Sequence, residues 1–113
     1  MSRISTHILD TSLGRPAAGV KVTLEQSDGE GWREISSQKT DVDGRVKQLH
    51  GASENLRGGQ YRLTFATQAY FDAQGVKGLY PVVQVTFTVT NVPGHYHIPL
   101  LLTANGYSTY RGS

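Results

Sequence analysis

The apolar positions of this chain recur with a period of two rather than 3.6. From Ile4 to Leu9, Ile4, Thr6 and Ile8 fall on one face and Ser5, His7 and Leu9 on the other. Val20, Val22 and Leu24 alternate with Lys21, Thr23 and Glu25 in the next run. The stretch from Trp32 to Thr40 reads as a polar edge strand, and Gln60 to Ala66 places Tyr61, Leu63 and Phe65 together. Val83, Val85, Phe87 and Val89 share a face, as do Tyr96, Ile98, Leu100 and Leu102. Turn-forming residues separate the runs: LGRPAAG, SDGEG, DVDG, RGG and NVPG. One segment departs from the period of two. TQAYFDAQG offers Thr67 as N-cap and Gly75 as stop for a single short helix. Seven or eight short strands at this spacing predict an all-β sandwich.

A chain of 113 residues makes one domain spanning 1–113, too short to divide into two cores. It buries roughly two thirds of its unfolded surface and gains from association. With 37% hydrophobic and 18% charged residues the composition is that of a folded globular protein. The net charge is +2 and the 11 Lys and Arg are scattered, where nucleic-acid binding calls for a concentrated basic stripe. Cysteine is absent, which excludes disulfides, thiolate nucleophiles and Cys-type zinc sites. No apolar run approaches the roughly 18 residues of a membrane span. Ile4 already belongs to the first patterned segment, so no leader is expected. The expectation is a soluble, cytoplasmic protein.

Candidate chemistry is sparse. His7 and His97 both lie opposite the apolar stripe of their strands, facing solvent or another subunit. Imidazole, with a pKa of about 6.5, is suited to acid/base work there. His95 and His97 project to the same side, as two metal ligands do, with His7 or His50 as the available third. No carboxylate motif completes such a set. Arg45 follows the tight-turn signal Asp43-Gly44, which holds it at a turn-to-strand junction. There is no nucleophile elbow and no glycine-rich phosphate loop.

Two long stretches carry a resemblance. ISTHILDTSLGRPAAGVKVTL at the front and HYHIPLLLTANGYSTYRGS at the back resemble the 5-hydroxyisourate hydrolase branch of the transthyretin-like proteins. TDVDGRV, YRLTFAT, YFDAQG and YPVVQVTFTV extend the likeness over nearly the whole chain, and the terminal Tyr-Arg-Gly-Ser is its most specific piece. Val82 and Ala104 depart from the family pattern, outside its catalytic set.

The resemblance implies a sandwich of two four-stranded sheets with one short helix. It further implies a homotetramer, a dimer of dimers with active sites in a central channel. By position it makes His7, Arg45, His97 and Ser113 catalytic. His7, Arg45, Tyr110 and Arg111 would contact substrate, with Tyr110 facing the channel. His50 and His95 match no catalytic position and are left as structural or surface residues. The implied reaction is hydrolysis of 5-hydroxyisourate in urate breakdown, without metal or cofactor and without nucleic-acid or membrane partners. A hormone-carrier module and a histidine-ligated metal hydrolase are the competing readings.

Overall fold

The computed structural model describes residues 3–50, 56–90 and 94–113. Among the described residues nine strands and one helix follow in order: β1 (Arg3–Asp10), β2 (Arg15–Pro16), β3 (Lys21–Ser27), β4 (Trp32–Lys39), β5 (Arg45–Val46), β6 (Gly59–Phe65), α1 (Thr67–Asp72), β7 (Val83–Val89), β8 (His95–Thr103) and β9 (Gly106–Thr109). The five runs of alternating residues all become strands, β1, β3, β6, β7 and β8. Of the NVPG turn only Gly94 lies within the described residues.

Two sheets form. One runs β4-β3-β6-β7, entirely antiparallel. Polar β4 takes the edge, where unsatisfied backbone groups meet water. The other runs β2-β1-β8-β9, with β5 also on β1. It counts five strands because two-residue β2 and β5 share one flank of β1. On its other flank β1 pairs with β8 in parallel, so the first and last long strands of the chain lie side by side.

The inward stripes meet between the sheets. Ile4, Ile8, Leu100 and Leu102 from one sheet face Val22, Leu24, Leu63 and Phe65 from the other, all sealed from solvent. Each such aliphatic side chain contributes about 1.5–3 kcal/mol by burial. Val85 and Phe87 are only partly buried, because β7 is an edge strand and the sandwich opens beside it. Two buried polar side chains of β1 are paired: Thr6 donates to the Ile98 carbonyl, and Asp10 accepts from the Ser12 and Leu13 amides and the Tyr70 hydroxyl.

The helix begins differently from expectation. Thr67 is its first residue rather than its cap, and its hydroxyl donates to the Tyr80 carbonyl instead. Its end follows the glycine signal. Gly75 adopts φ +68°, the Val76 amide reaches the Phe71 carbonyl and the Gly75 amide reaches Asp72. That pair of bonds is the Schellman arrangement, which a left-handed glycine permits.

Candidate active site

The parallel β1–β8 register sets the outward face of the first sheet. Arg3 stands opposite His95, Ser5 opposite His97, and His7 opposite Pro99. Strand alternation turns all six side chains to the same side, away from the core. Across the other flank of β1, His7 is paired with Arg45.

Arg45 owes its position to the turn before it. One Asp41 carboxylate oxygen accepts from the backbone amides of Asp43 and Arg45, and the Gly44 amide donates to the Asp41 carbonyl. Gly44 lies at φ +74°, and a Cβ there would come within 2.5 Å of the Ile8 carbonyl oxygen. The Ile8 amide donates to the Gly44 carbonyl at 2.8 Å, locking the turn onto β1. The amides donated to Asp41 hold its carboxyl below the usual carboxylate range.

The tail closes the third side. After β9 the chain continues antiparallel along β8: the Thr109 hydroxyl donates to the Pro99 carbonyl, and the Gly112 amide to the His97 carbonyl at 2.8 Å. Ser113 thereby ends beside the histidines. The pocket so formed holds about 200 Å³, with Arg3, Ser5, Arg45, His95, His97 and Ser113 in its walls. Lys47 also lines it, and among the described residues no Asp or Glu side chain does.

The three histidines here are all held below the ordinary imidazole pKa. For His7 the causes are burial and then the Arg45 guanidinium, opposed by the backbone of Asp43 and the carboxylates of Asp41 and Asp43. For His97 burial leads, followed by His95, Arg45, His7 and Arg3. His95 is lowered by burial, Arg3 and Arg111. Neutral imidazoles among fixed cations are competent bases and hydrogen-bond partners, in a pocket suited to an electron-rich or anionic ligand.

Of the residues picked out in the sequence, His7, Arg45, His97 and Ser113 gather on this face. Tyr110 and Arg111 line a second groove, with Val85, Phe87, Tyr96 and Ile98. Tyr110 is 56% exposed there, and the Arg111 guanidinium stacks 4.5 Å above the Tyr96 ring. His50 is buried elsewhere, its Nδ1 without a hydrogen-bond partner.

Two neighbours of the site, Ser5 and His95, were not among the expected catalytic or substrate-binding residues. The Ser5 hydroxyl lies 2.7 Å from His95 Nε2 and 2.8 Å from His97 Nδ1, joining the two rings. Their only sequence signal is the spacing of two that puts Ser5 with His7, and His95 with His97, on one face. Ser5 also occupies the space between the ring nitrogens that a shared ion would need. Among the described residues no three metal-ligating side chains converge.

Sandwich, short helix and tail strapped along β8 together define a transthyretin-like protein with a polar, histidine-bearing outer face. A sequence profile of the HIUase/Transthyretin family matches residues 4–112, and the chain belongs to that family. The 5-hydroxyisourate hydrolase of Caulobacter vibrioides is 45% identical over 117 residues, covering the whole of both chains. The solved structure of the Klebsiella pneumoniae 5-hydroxyisourate hydrolase is similar at TM-score 0.86 and 37% identity, covering 100% of this chain and 94% of that one. Transthyretin from Sparus aurata superposes with TM-score 0.90 at 31% identity, covering 97% and 96%. The backbone therefore serves both branches, and side chains have to separate them.

Proposed function

We propose that this chain hydrolyses 5-hydroxyisourate to 2-oxo-4-hydroxy-4-carboxy-5-ureidoimidazoline, by histidine acid/base catalysis that needs no metal or cofactor. The observation that carries this reading is that His97, its pKa lowered, meets Arg45 and Ser113 at one cation-lined pocket, while His7, also lowered, is paired with Arg45 on the same sheet. The two relatives named above as 5-hydroxyisourate hydrolases suggest the substrate.

Water adds to a ring carbonyl and a ring C–N bond opens. His7 and His97 form the acid/base pair: one takes the water proton, the other supplies the leaving nitrogen. Arg45 orients the ring and stabilises the oxyanion through its fixed fork of donors. With burial as the larger cause, its charge also helps to lower the His7 pKa. Ser113 adds a hydroxyl to the rim.

The working unit is a homotetramer, a dimer of dimers, in the cytoplasm, with the outer face of the first sheet as a channel wall. Support comes from the apolar side chains of Leu79, Tyr80, Val82 and Tyr107, left exposed by the single chain. Association would cover them and add burial that a domain of this size lacks. Tyr110 and Arg111, which line the groove beside the histidine pocket, contact substrate through that assembly.

The test is to generate 5-hydroxyisourate with urate oxidase and follow its ultraviolet absorbance. Purified protein accelerates the decay, and His7→Ala and His97→Ala each lose about 10²–10⁴-fold. Absence of acceleration, or full activity in both variants, overturns the assignment. Tight binding of a hormone-like ligand without turnover would place the chain with the carriers.

A further inference from the structure

A serine hydroxyl carries one hydrogen and two lone pairs. Ser5 faces two ring nitrogens at once, His95 Nε2 at 2.7 Å and His97 Nδ1 at 2.8 Å, and is itself only 5% exposed. With both rings neutral, both bonds form only if Ser5 accepts an N–H from one ring and donates its own hydrogen to the other. Two directions satisfy that rule.

Arg3 chooses between them. Its Nη2 lies 3.5 Å from His95 Nδ1, and a guanidinium can only donate. His95 Nδ1 therefore presents its lone pair, and the hydrogen of the neutral ring sits on Nε2. That hydrogen points to Ser5 Oγ, so the Ser5 hydrogen points to His97 Nδ1. His97 is left with its hydrogen on Nε2. The opposite direction would set an N–H of His95 against the N–H groups of Arg3. Both rings are held neutral by burial and neighbouring positive charge, so the rule for neutral rings applies.

We infer, on the acid/base reading above, that Arg3, His95 and Ser5 form a directed hydrogen-bond chain that fixes His97 as the proton donor and leaves His7 as the base. The three are positioning residues: they act through His97. The parallel register delivers them, with Arg3 opposite His95 and Ser5 opposite His97.

The proton count closes. His7 takes a proton as water adds to the carbonyl carbon. As the C–N bond breaks, its electron pair takes the His97 Nε2 proton. The Ser5 hydrogen moves to His97 Nδ1, the His95 Nε2 hydrogen moves to Ser5 Oγ, and exposed His95 takes a proton from solvent at Nδ1. His7 returns its proton to solvent, and the reverse shift resets the chain once product has left.

Nitrogen NMR of the histidine rings tests this in the intact protein. At about pH 8, above the ordinary imidazole pKa, His95 and His97 should both show a protonated Nε2 and a lone pair on Nδ1. Arg3→Met removes the directing donor, and both rings should then gain Nδ1–H together, although Arg3 reaches His97 only through His95 and Ser5. Ser5→Ala should lower kcat at least about tenfold with KM changed less than about threefold, and Ser5→Thr should restore most of the loss. A wild-type His97 protonated on Nδ1 overturns the inference. So does an Arg3→Met protein with both rings unchanged, a result that does not depend on the Ser5 variants folding. If the tautomers are as stated but 5-hydroxyisourate is not hydrolysed, the proposed function falls and the chain stands.

Discussion

The backbone amide of Gly112 donates to the carbonyl of His97 at 2.8 Å, and a Cβ on that glycine would stand 2.5 Å from His97 Cδ2. The chain terminus is thus packed flat against the ring proposed as proton donor, with Pro99 Cγ 3.3 Å from the same Cβ position. Gly112→Ala has to push the ring or lift the tail. A misplacement of about 1 Å costs up to about 10²-fold in rate. The expected outcome is a fall in kcat of about 10–10²-fold, with a melting temperature close to wild type because the tail covers little of the core. Ultraviolet decay kinetics and calorimetry on one preparation check both halves.

Deletion of residues 110–113 carries the same logic further. It removes Ser113 from the pocket wall and the Arg111 contacts to the Tyr96 ring and the His95 carbonyl. Turnover should drop far more than stability. A truncated protein of full activity would show that the tail is not part of the site.

Gly44→Ala should act on both stability and rate. The residue is left-handed, and its Cβ would meet the Ile8 carbonyl oxygen at 2.5 Å, on the strand that carries His7. A strained left-handed residue costs about 1–3 kcal/mol. Urea denaturation should show a loss of that size, accompanied by slower turnover as Arg45 leaves its place opposite His7. Unchanged stability would mean that the turn yields without cost.

Arg45→Lys keeps the charge and loses the planar fork. The charge contribution to the neutrality of His7 and His97 is retained, so the pH dependence of the rate should move little. The loss should appear in kcat/KM, by about 10–10²-fold, as each charge-assisted hydrogen bond is worth about 1.5–3 kcal/mol. A lysine variant with full kcat/KM would reduce Arg45 to a point charge.

The histidines give a signed pH prediction. His7, His95 and His97 have folded pKa values below their ordinary value of about 6.5. The unfolded chain therefore binds protons first as pH falls. Their contribution to stability is complete above about pH 6.5 and is lost as pH drops through the folded values. The rate, which needs a neutral base, should hold on the acid side to below pH 6.5 before it declines. Thermal melts and rate profiles over that window check the sign. A rate already falling above pH 6.5 contradicts it.

Much of this was legible in the chain itself, because period-two alternation is a local property. Ile4, Ile8, Leu100 and Leu102 announce an inward face, and the same pattern turns His7 and His97 outward, where they lie. Asp43-Gly44 announces a turn, and Arg45 stands at its end. The helix stop at Gly75 was readable for the same reason, whereas Thr67 was misplaced by one position. Its hydroxyl found the Tyr80 carbonyl, a partner 13 residues away.

Position and role within the site belong to tertiary structure. Pattern alone cannot say that β1 pairs with β8, in parallel, in a register that sets Ser5 against His97 across 92 residues of sequence. Strand pairing is a choice among distant partners, and a slip of one residue would turn every one of these side chains to the other face. His95 was therefore left as a structural or surface residue, and Ser5 had no assigned role, until the register brought them together. The terminus is the clearest case. STYRGS can be recognised as a motif, but only the bond from Gly112 to His97 shows that it splits, with Ser113 in the histidine pocket and Tyr110 in the groove beside it.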